Sequence, residues 1–173
     1  MTPLASADQL SPGQVFELGG FTLTLPAGLE FARTFDPQPF HLDDAAARDS
    51  IFGELVASGL HTFSASVGHL IRSGLFAGIN LGGGGVELQW PAPLPPGQPV
   101  AMRITIEEVR ASRSRPDMAV VKLRYRVAIV ATDTVVLDAL ATHALRETAQ
   151  VLCDDPDPVV AEAARWAAER LAA

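Results

Sequence analysis

The strongest helical pattern in the chain is Gly59-Leu60-His61-Thr62-Phe63-Ser64-Ala65-Ser66-Val67-Gly68-His69-Leu70-Ile71-Arg72-Ser73-Gly74. Its apolar residues recur at the i, i+3, i+4 and i+7 spacing of one helix face, and Ser73-Gly74 offers a stop signal. Several small residues along it would let a curved sheet approach closely. The pattern therefore predicts a central buried helix, although a simple buried helix with polar gaps remains an alternative.

The rest of the chain reads mainly as strands. Alternation of apolar and polar residues predicts a strand within 10–25, after a turn at Gly19-Gly20, and four more over about 86–90, 100–106, 121–129 and 135–146. Short helices are expected over 26–35 and after a cap at Asp43 or Asp44. Gly82 to Gly85 is interpreted as a flexible connection. Together these elements predict an α+β fold in which an antiparallel meander wraps around the central helix.

Length and composition predict one domain over residues 1–150. The chain has 173 residues, 48% of them hydrophobic, which is enough for a single well-buried core. Residues 151–173 begin as an acidic, proline-bearing linker and continue with the spacing of a C-terminal helix. The chain has a single cysteine, Cys153, which excludes an internal disulfide framework and any CxxC motif.

Charge and targeting signals restrict the partners. The net charge of −7 and the isoelectric point near 5.0 argue against nucleic acid or an anionic membrane, which both require a cationic surface. The first residues lack the features of a signal peptide, and no apolar run could span a bilayer. A cytoplasmic protein is expected.

An acid and a potential base lie close together in Phe35-Asp36-Pro37-Gln38-Pro39-Phe40-His41. The two prolines fix their own φ and bias the preceding residues toward extended backbone, so a rigid loop that cannot become helix is expected. An Asp and a His can share a water or pass a proton. Five extended residues span about 16 Å, so the two side chains meet only if the chain bends after Pro39. An ordinary proline-rich turn with a capping Asp is the alternative.

This segment, followed by Phe52-Gly53 and by Val56-Ala57-Ser58-Gly59-Leu60, resembles the MaoC-like acyl dehydratases and (R)-specific enoyl-CoA hydratases. Leu88-Gln89-Trp90, Pro96-Gly97 and the residues from Ser112 to Pro116 extend the resemblance over about 12–146. The hydratase motif of that family is Asp-x-Asn-Pro-aliphatic-His. This chain keeps its Asp, second Pro and His, with Gln38 and Phe40 in place of the Asn and the aliphatic residue. Ser58 replaces the His that many members have before the Gly.

The resemblance implies a hotdog fold and a hydro-lyase that acts on enoyl or 3-hydroxyacyl thioesters. Asp36 and His41 would converge on one water, and the N–H of Gly59 at the start of the central helix would face the thioester carbonyl. The residues expected to bind substrate are Gln38, Phe40, Phe52, Ser58 and Phe63. No cofactor is expected beyond the coenzyme A or acyl carrier of the substrate. A homodimer or a higher homo-oligomer is implied.

Two other functions stay open at this stage. The first is a thioesterase that uses a carboxylate and a helix N-terminus on the same fold. The second is a non-catalytic acyl-binding subunit, which the replacements at Gln38, Phe40 and Ser58 make conceivable. Pocket depth is expected to depend on Phe52, Phe63, Leu75 and Phe76.

Other polar residues carry weaker signals. No metal site is expected, because His61, His69 and His143 lack a close third ligand. Six of the thirteen Lys and Arg lie between Arg110 and Arg126, where they could meet coenzyme A phosphates or form a solvated strand face.

Overall fold

The computed structural model describes residues 2–115, 117–147 and Glu162. The expected acidic linker and C-terminal helix lie outside these residues, apart from Glu162, which is exposed and helical. The division of the chain at residue 150 therefore stays a prediction. Within the described ranges, no helix combines the length and the apolar character that a bilayer crossing requires.

Five antiparallel strands form one sheet in the order β1-β3-β4-β5-β2. The strands are β1 (Val15–Thr22), β2 (Asn80–Gln89), β3 (Pro99–Ala111), β4 (Met118–Ile129) and β5 (Val135–Arg146). Alternating burial along β3, β4 and β5 gives the sheet one buried face and one face toward solvent, as the period-two pattern predicted. The two edges of the sheet are β1 and β2.

The predicted meander is only partly right, because β2 and β3 follow each other in sequence without pairing. Strand β2 pairs with β5 at one edge, and β1 pairs with β3 at the other. The proline-rich stretch from Pro91 to Pro96 separates β2 from β3, which excludes the tight hairpin that adjacent pairing needs. Only β3, β4 and β5 form a true meander.

Two glycine runs lie inside strands, contrary to prediction. Gly19-Gly20 is not a turn: Gly19 has φ of 76° at a register shift in β1, and a side chain at Gly20 would collide with the carbonyl oxygen of Val100. Such shifts are β-bulges, where glycine supplies a backbone that other residues resist. The run from Gly82 to Gly85 is not a flexible connection, because its residues pair with β5 opposite Ala144, His143 and Thr142.

The central helix is α4 (Gly59–Ser73), and it lies where the sequence predicted it. Ser58 caps its first turn, and Gly74, with φ of 74° in the left-handed region, ends it. Leu70 is buried in the core, and the ring of Phe63 lies 6.3 Å from that of Tyr125 on β4. The buried face of the sheet supplies most of the remaining core residues, among them Ile104, Leu123 and Leu145.

Three shorter helices bring the chain from β1 to α4. They are α1 (Leu25–Phe35), α2 (Pro39–Leu42) and α3 (Asp44–Arg48), and Asp43 caps α3 as expected. The segment from Asp36 to His41 was predicted to exclude helix, and that prediction is wrong for its second half. Pro39 occupies the first position of α2, where its missing N–H and fixed φ cost nothing. This turn supplies the bend that the sequence left open.

Candidate active site

The carboxylate of Asp36 and the imidazole of His41 meet at the junction of α1 and α2. Asp36 Oδ2 lies 3.3 Å from His41 Nε2, and the two side chains are only 16% and 7% exposed. Asp36 ends α1, its carbonyl accepts the N–H of Gln38 at 2.8 Å, and the helical turn after Pro39 brings His41 back. The bend therefore converts sequence neighbours into an acid/base pair.

The orientation of the His41 ring is fixed by backbone. His41 Nδ1 lies 2.8 Å from the carbonyl oxygen of Val56. Because a carbonyl can only accept, Nδ1 carries the hydrogen, and in the neutral ring the lone pair of Nε2 faces Asp36. Two acceptors at this distance need a hydrogen between them, which either protonation of Nε2 or a water that donates to both can supply.

Two side chains donate hydrogen bonds to Asp36. Ser58 Oγ donates to Oδ2 at 2.7 Å, and Gln38 Nε2 donates to Oδ1 at 2.9 Å. Burial raises the pKa of Asp36, but these hydrogen bonds and the charge that His41 can carry outweigh burial and hold the pKa below its ordinary value. Asp36 is thus a carboxylate at neutral pH despite its partly buried position.

Ser58 connects this carboxylate to the start of α4. Its hydroxyl accepts the N–H of Leu60 at 3.2 Å while it donates to Asp36. The neighbouring N–H of Gly59 has no acceptor among the described residues, as is usual for the first N–H of a helix. This donor, at the positive end of the helix dipole, is available to a ligand.

A cavity of about 580 Å³ opens beside these groups. Its volume lies within the range of small-molecule sites, about 300–1,000 Å³. It is lined by Asp36, Gln38, Phe40, His41, Phe52, Val56, Ala57, Gly59, Leu60, Thr62, Trp90, Pro91, Ala92, Pro93, Leu94 and Val136. Most of the lining residues are apolar, and Asp36 and His41 form a polar part of the lining.

Six of the eight predicted site residues line this cavity. They are Asp36, His41, Gly59, Gln38, Phe40 and Phe52. Ser58 is buried, does not line the cavity, and donates a hydrogen bond to Asp36. Phe63 is not among the lining residues, because it faces Tyr125 in the core. Leu75 and Phe76 also belong to the core, so Phe52 alone of the four residues expected to set pocket depth lines the cavity, together with Leu94 and Val136.

Sequence reasoning missed the wall formed by residues 90–94. All five line the cavity, and Trp90 Nε1 donates to the carbonyl oxygen of Gly59 at 2.9 Å. The prolines at 91 and 93 gave the only signal, since a stiff segment of this kind presents side chains in fixed positions.

The other polar candidates lie outside the cavity. His143 is buried against Tyr125, with 2.9 Å between Nε2 and the hydroxyl, and His61 stacks on Phe31. Residues 2–115 and 117–147 contain no group of three potential ligands that could hold a metal. Five of the six basic residues between Arg110 and Arg126 form ion pairs with carboxylates, which favours the solvated strand face.

Comparisons with known proteins agree with this architecture. A family model described as the MaoC-like domain matches residues 9–127. A MaoC-like dehydratase from Rhodospirillum rubrum is 38% identical, with a TM-score of 0.76 over 82% of this chain and 97% of that chain. The R-hydratase PhaJ1 from Pseudomonas aeruginosa, at 22% identity, shares the fold, with a TM-score of 0.64 over 82% of this chain and 86% of that chain.

A relative from Bacillus subtilis (strain 168), the uncharacterized protein YdeM, is 32% identical over 69 residues. The match takes 40% of this chain and spans about half, 49%, of YdeM. With the five-stranded sheet and its helices, the structural neighbours confirm the predicted α+β hotdog fold over the described residues.

Proposed function

The chain belongs to the MaoC-like domain family, and we propose that it is a hydro-lyase that adds water to 2-enoyl thioesters and removes it from 3-hydroxyacyl thioesters. The observation that carries this proposal is the 3.3 Å approach of Asp36 Oδ2 and His41 Nε2 beside a largely apolar cavity. The names of the neighbours, a dehydratase and an R-hydratase, support the same reaction class.

A water held between Asp36 and His41 is the reactant in the hydration direction. It donates one hydrogen to each acceptor, so its oxygen lone pairs point away from the pair and toward the cavity. The lowered pKa of Asp36 keeps that carboxylate ionised, and the bond from Nδ1 to Val56 keeps Nε2 available. The carboxylate of Asp36, and Nε2 of His41 in its neutral form, can therefore each accept a proton from this water.

The reaction balances with these two groups alone. As the water oxygen bonds to Cβ, one water proton passes to the Asp36/His41 pair, and the pair delivers one proton to Cα. The hydroxyl and the hydrogen of one water are thus added across the double bond, and the pair returns to its starting state. Dehydration follows the same steps in reverse.

The N–H of Gly59 is proposed to donate a hydrogen bond to the carbonyl oxygen of the thioester. Negative charge develops on that oxygen as water adds to Cβ, and a fixed donor that meets it stabilises the transition state more than the substrate. The N–H of Gly59 has no other acceptor among the described residues and lies at the N-terminus of α4, which favours an oxyanion.

The lining points to an apolar acyl group as the part of the substrate that enters the cavity. Phe40, Phe52, Leu60 and Leu94 are among the apolar residues that line it. No Lys or Arg is among the lining residues, so phosphates of coenzyme A or of an acyl carrier would lie outside the cavity. The reaction proposed here uses no metal and no redox cofactor.

We propose that the chain forms a homodimer and that the two copies meet at the outer edge of β2. No strand among the described residues pairs with this outer edge, and Leu81, Val86 and Trp90 expose apolar surface on or next to it. Unpaired strand edges readily pair with another chain. Edge-to-edge pairing would continue the sheet from one subunit into the other.

The test is the loss of enoyl absorbance when the protein is mixed with a panel of 2-enoyl-CoA thioesters of increasing chain length, with free thiol measured in parallel. Loss of absorbance without thiol release is expected. The rate of this loss should be about a thousandfold lower in Asp36→Asn and in His41→Ala. Thiol release would identify a thioesterase. Acyl-CoA binding without either reaction would identify a non-catalytic subunit and contradict the proposal.

A further inference from the structure

The indole of Trp90 packs directly on the first residue of α4. Its Nε1 donates to the carbonyl oxygen of Gly59 at 2.9 Å, and a Cβ added to Gly59 would lie 2.6 to 2.8 Å from three indole atoms. Real Cβ atoms do not approach other atoms so closely. Gly59 does not have the positive φ that marks several other glycines of this chain. Space for the indole, and not backbone conformation, therefore requires glycine here.

A second hydrogen bond ties the same wall to the same stretch of chain. The N–H of Ala57 donates to the carbonyl oxygen of Leu94 at 2.8 Å. The wall of residues 90–94 is thus held at both of its ends, by Ala57 and by Gly59. Between them, Ser58 contacts Asp36. The proline rings at 91 and 93 limit how far the wall can bend between its two attachments.

We propose that Trp90 is a positioning residue for the reaction proposed above, on which this inference rests. Glycine has the freest backbone of all residues, so Gly59 needs external contacts to hold its N–H in one direction. The indole supplies them, with a hydrogen bond to the Gly59 carbonyl and a flat surface against Cα. A displacement of about 1 Å in a catalytic group can lower a rate by about a hundredfold, so this restraint matters for turnover.

Trp90→Phe removes the N–H donor and keeps an aromatic ring in the cavity wall. Loss of a single hydrogen bond corresponds to about a fivefold to tenfold change. We expect kcat to fall by about that factor with KM changed by less than about twofold, since the ground-state contacts of the acyl group remain. An unchanged kcat, or a change in KM alone, would show that Trp90 only lines the cavity and would overturn the inference.

A double-mutant cycle tests the packing. In the wild type, Gly59→Ala forces the indole off the helix and should lower kcat by about a hundredfold. In Trp90→Ala, which has already lost the restraint, the added methyl fits the vacated space and should lower kcat by less than about threefold. Effects that multiply independently in the double variant would contradict direct coupling. Melting temperatures of all three variants identify any that fail to fold.

Fluorescence separates failure of this inference from failure of the proposed function. The chain has two tryptophans, so a Trp166→Phe background leaves Trp90 as the only indole. Butyryl-CoA, which lacks the reactive double bond, should change the fluorescence emission of Trp90 when it binds. An active wild type whose Trp90→Phe variant keeps full kcat contradicts this inference alone. A wild type that hydrates no enoyl thioester contradicts both, even if butyryl-CoA alters the emission and so marks an acyl-binding protein.

Discussion

The hydroxyl of Ser58 lies 2.7 Å from Oδ2 of Asp36, although the two residues are 22 positions apart. The hydroxyl oxygen of Ser58 also accepts the N–H of Leu60 and so caps α4. One hydroxyl therefore joins the end of α1 to the beginning of the central helix. Its contribution to the carboxylate and its contribution to helix stability can be measured separately.

Ser58→Ala should raise the pKa of Asp36, because it removes a hydrogen bond that stabilises the charged carboxylate. The acid limb of the pH profile of hydration should then move to higher pH. At neutral pH kcat should fall by about tenfold, because Asp36 also loses a hydrogen bond that holds it in place. Asp43→Ala is the matched control, since it removes a comparable cap from α3 without touching Asp36. Each variant should lose about 1 kcal/mol of unfolding free energy. Equal pH profiles in both would contradict a role for Ser58 at the carboxylate.

Acid should destabilise the fold in part through Asp36. Its pKa is lower in the folded protein than in the unfolded chain, so its stabilisation is complete above the ordinary Asp pKa and is lost as pH falls through the lowered value. In that window the unfolded state binds more protons. Urea unfolding of the wild type from pH 6 to pH 3 should show a steeper loss of stability than Asp36→Asn. Parallel curves for the two proteins would show that Asp36 is not stabilised as a carboxylate.

Tyr125 and His143 form a buried polar pair in the core. The Tyr125 hydroxyl is 2.9 Å from His143 Nε2, and His143 Nδ1 has no partner within the described chain. Tyr125→Phe alone should lower the free energy of unfolding by about 1–3 kcal/mol, because it leaves both ring nitrogens of His143 unsatisfied. The double variant Tyr125→Phe with His143→Leu should recover most of this loss. A double variant that is less stable than Tyr125→Phe would rule out this explanation.

The same pair predicts a second pH effect. Burial lowers the pKa of His143, so this residue stays neutral in the folded protein while the unfolded chain takes up a proton below the ordinary His pKa. Stability should therefore fall as pH decreases through the ordinary His value, and the double variant should show a shallower decrease. Thermal unfolding between pH 8 and pH 5 measures this slope. An identical slope in both proteins would assign the effect to other groups, such as His61.

Val86→Lys should weaken self-association. Val86 is 43% exposed on edge strand β2, and charged residues on an edge strand oppose pairing with another chain. Sedimentation velocity should show a shift from dimer toward monomer. Val130→Lys is the control, because Val130 is 63% exposed in the turn between β4 and β5, away from that edge. A wild type that sediments as a monomer would contradict the proposed edge-to-edge dimer.

The sequence predicted most of the fold because hydrophobic periodicity is set by burial on one face. The bounds of α4 follow from its apolar stripe and from Gly74, and those of β5 from its alternation. The glycine runs at Gly19 and Gly82 misled the prediction, because glycine favours turns and bulges alike and only the pairing partner decides between them.

The candidate site was predicted where its residues lie close in sequence. Asp36 and His41 could be paired from the motif, whereas the contacts made by Ser58 and Trp90 depend on how distant segments pack. Phe63 was predicted to bind substrate and to set pocket depth. Its position on the face toward Tyr125 depends on the rotation of that helix against the sheet, which periodicity alone does not give.

The attachments of residues 57–59 make the site sensitive to the order of folding. Ser58 is hydrogen-bonded to Asp36, which lies 22 positions earlier in the sequence. Ala57 and Gly59 are hydrogen-bonded to the segment of residues 90–94, and the bond between Gly59 and Trp90 spans 31 positions. Each such contact requires closure of a loop, with its entropic cost, before it contributes any stability. The proposed catalytic geometry therefore exists only after both loops have closed. During refolding, the proposed hydratase activity would report the final docking of these segments and not the earlier formation of the sheet.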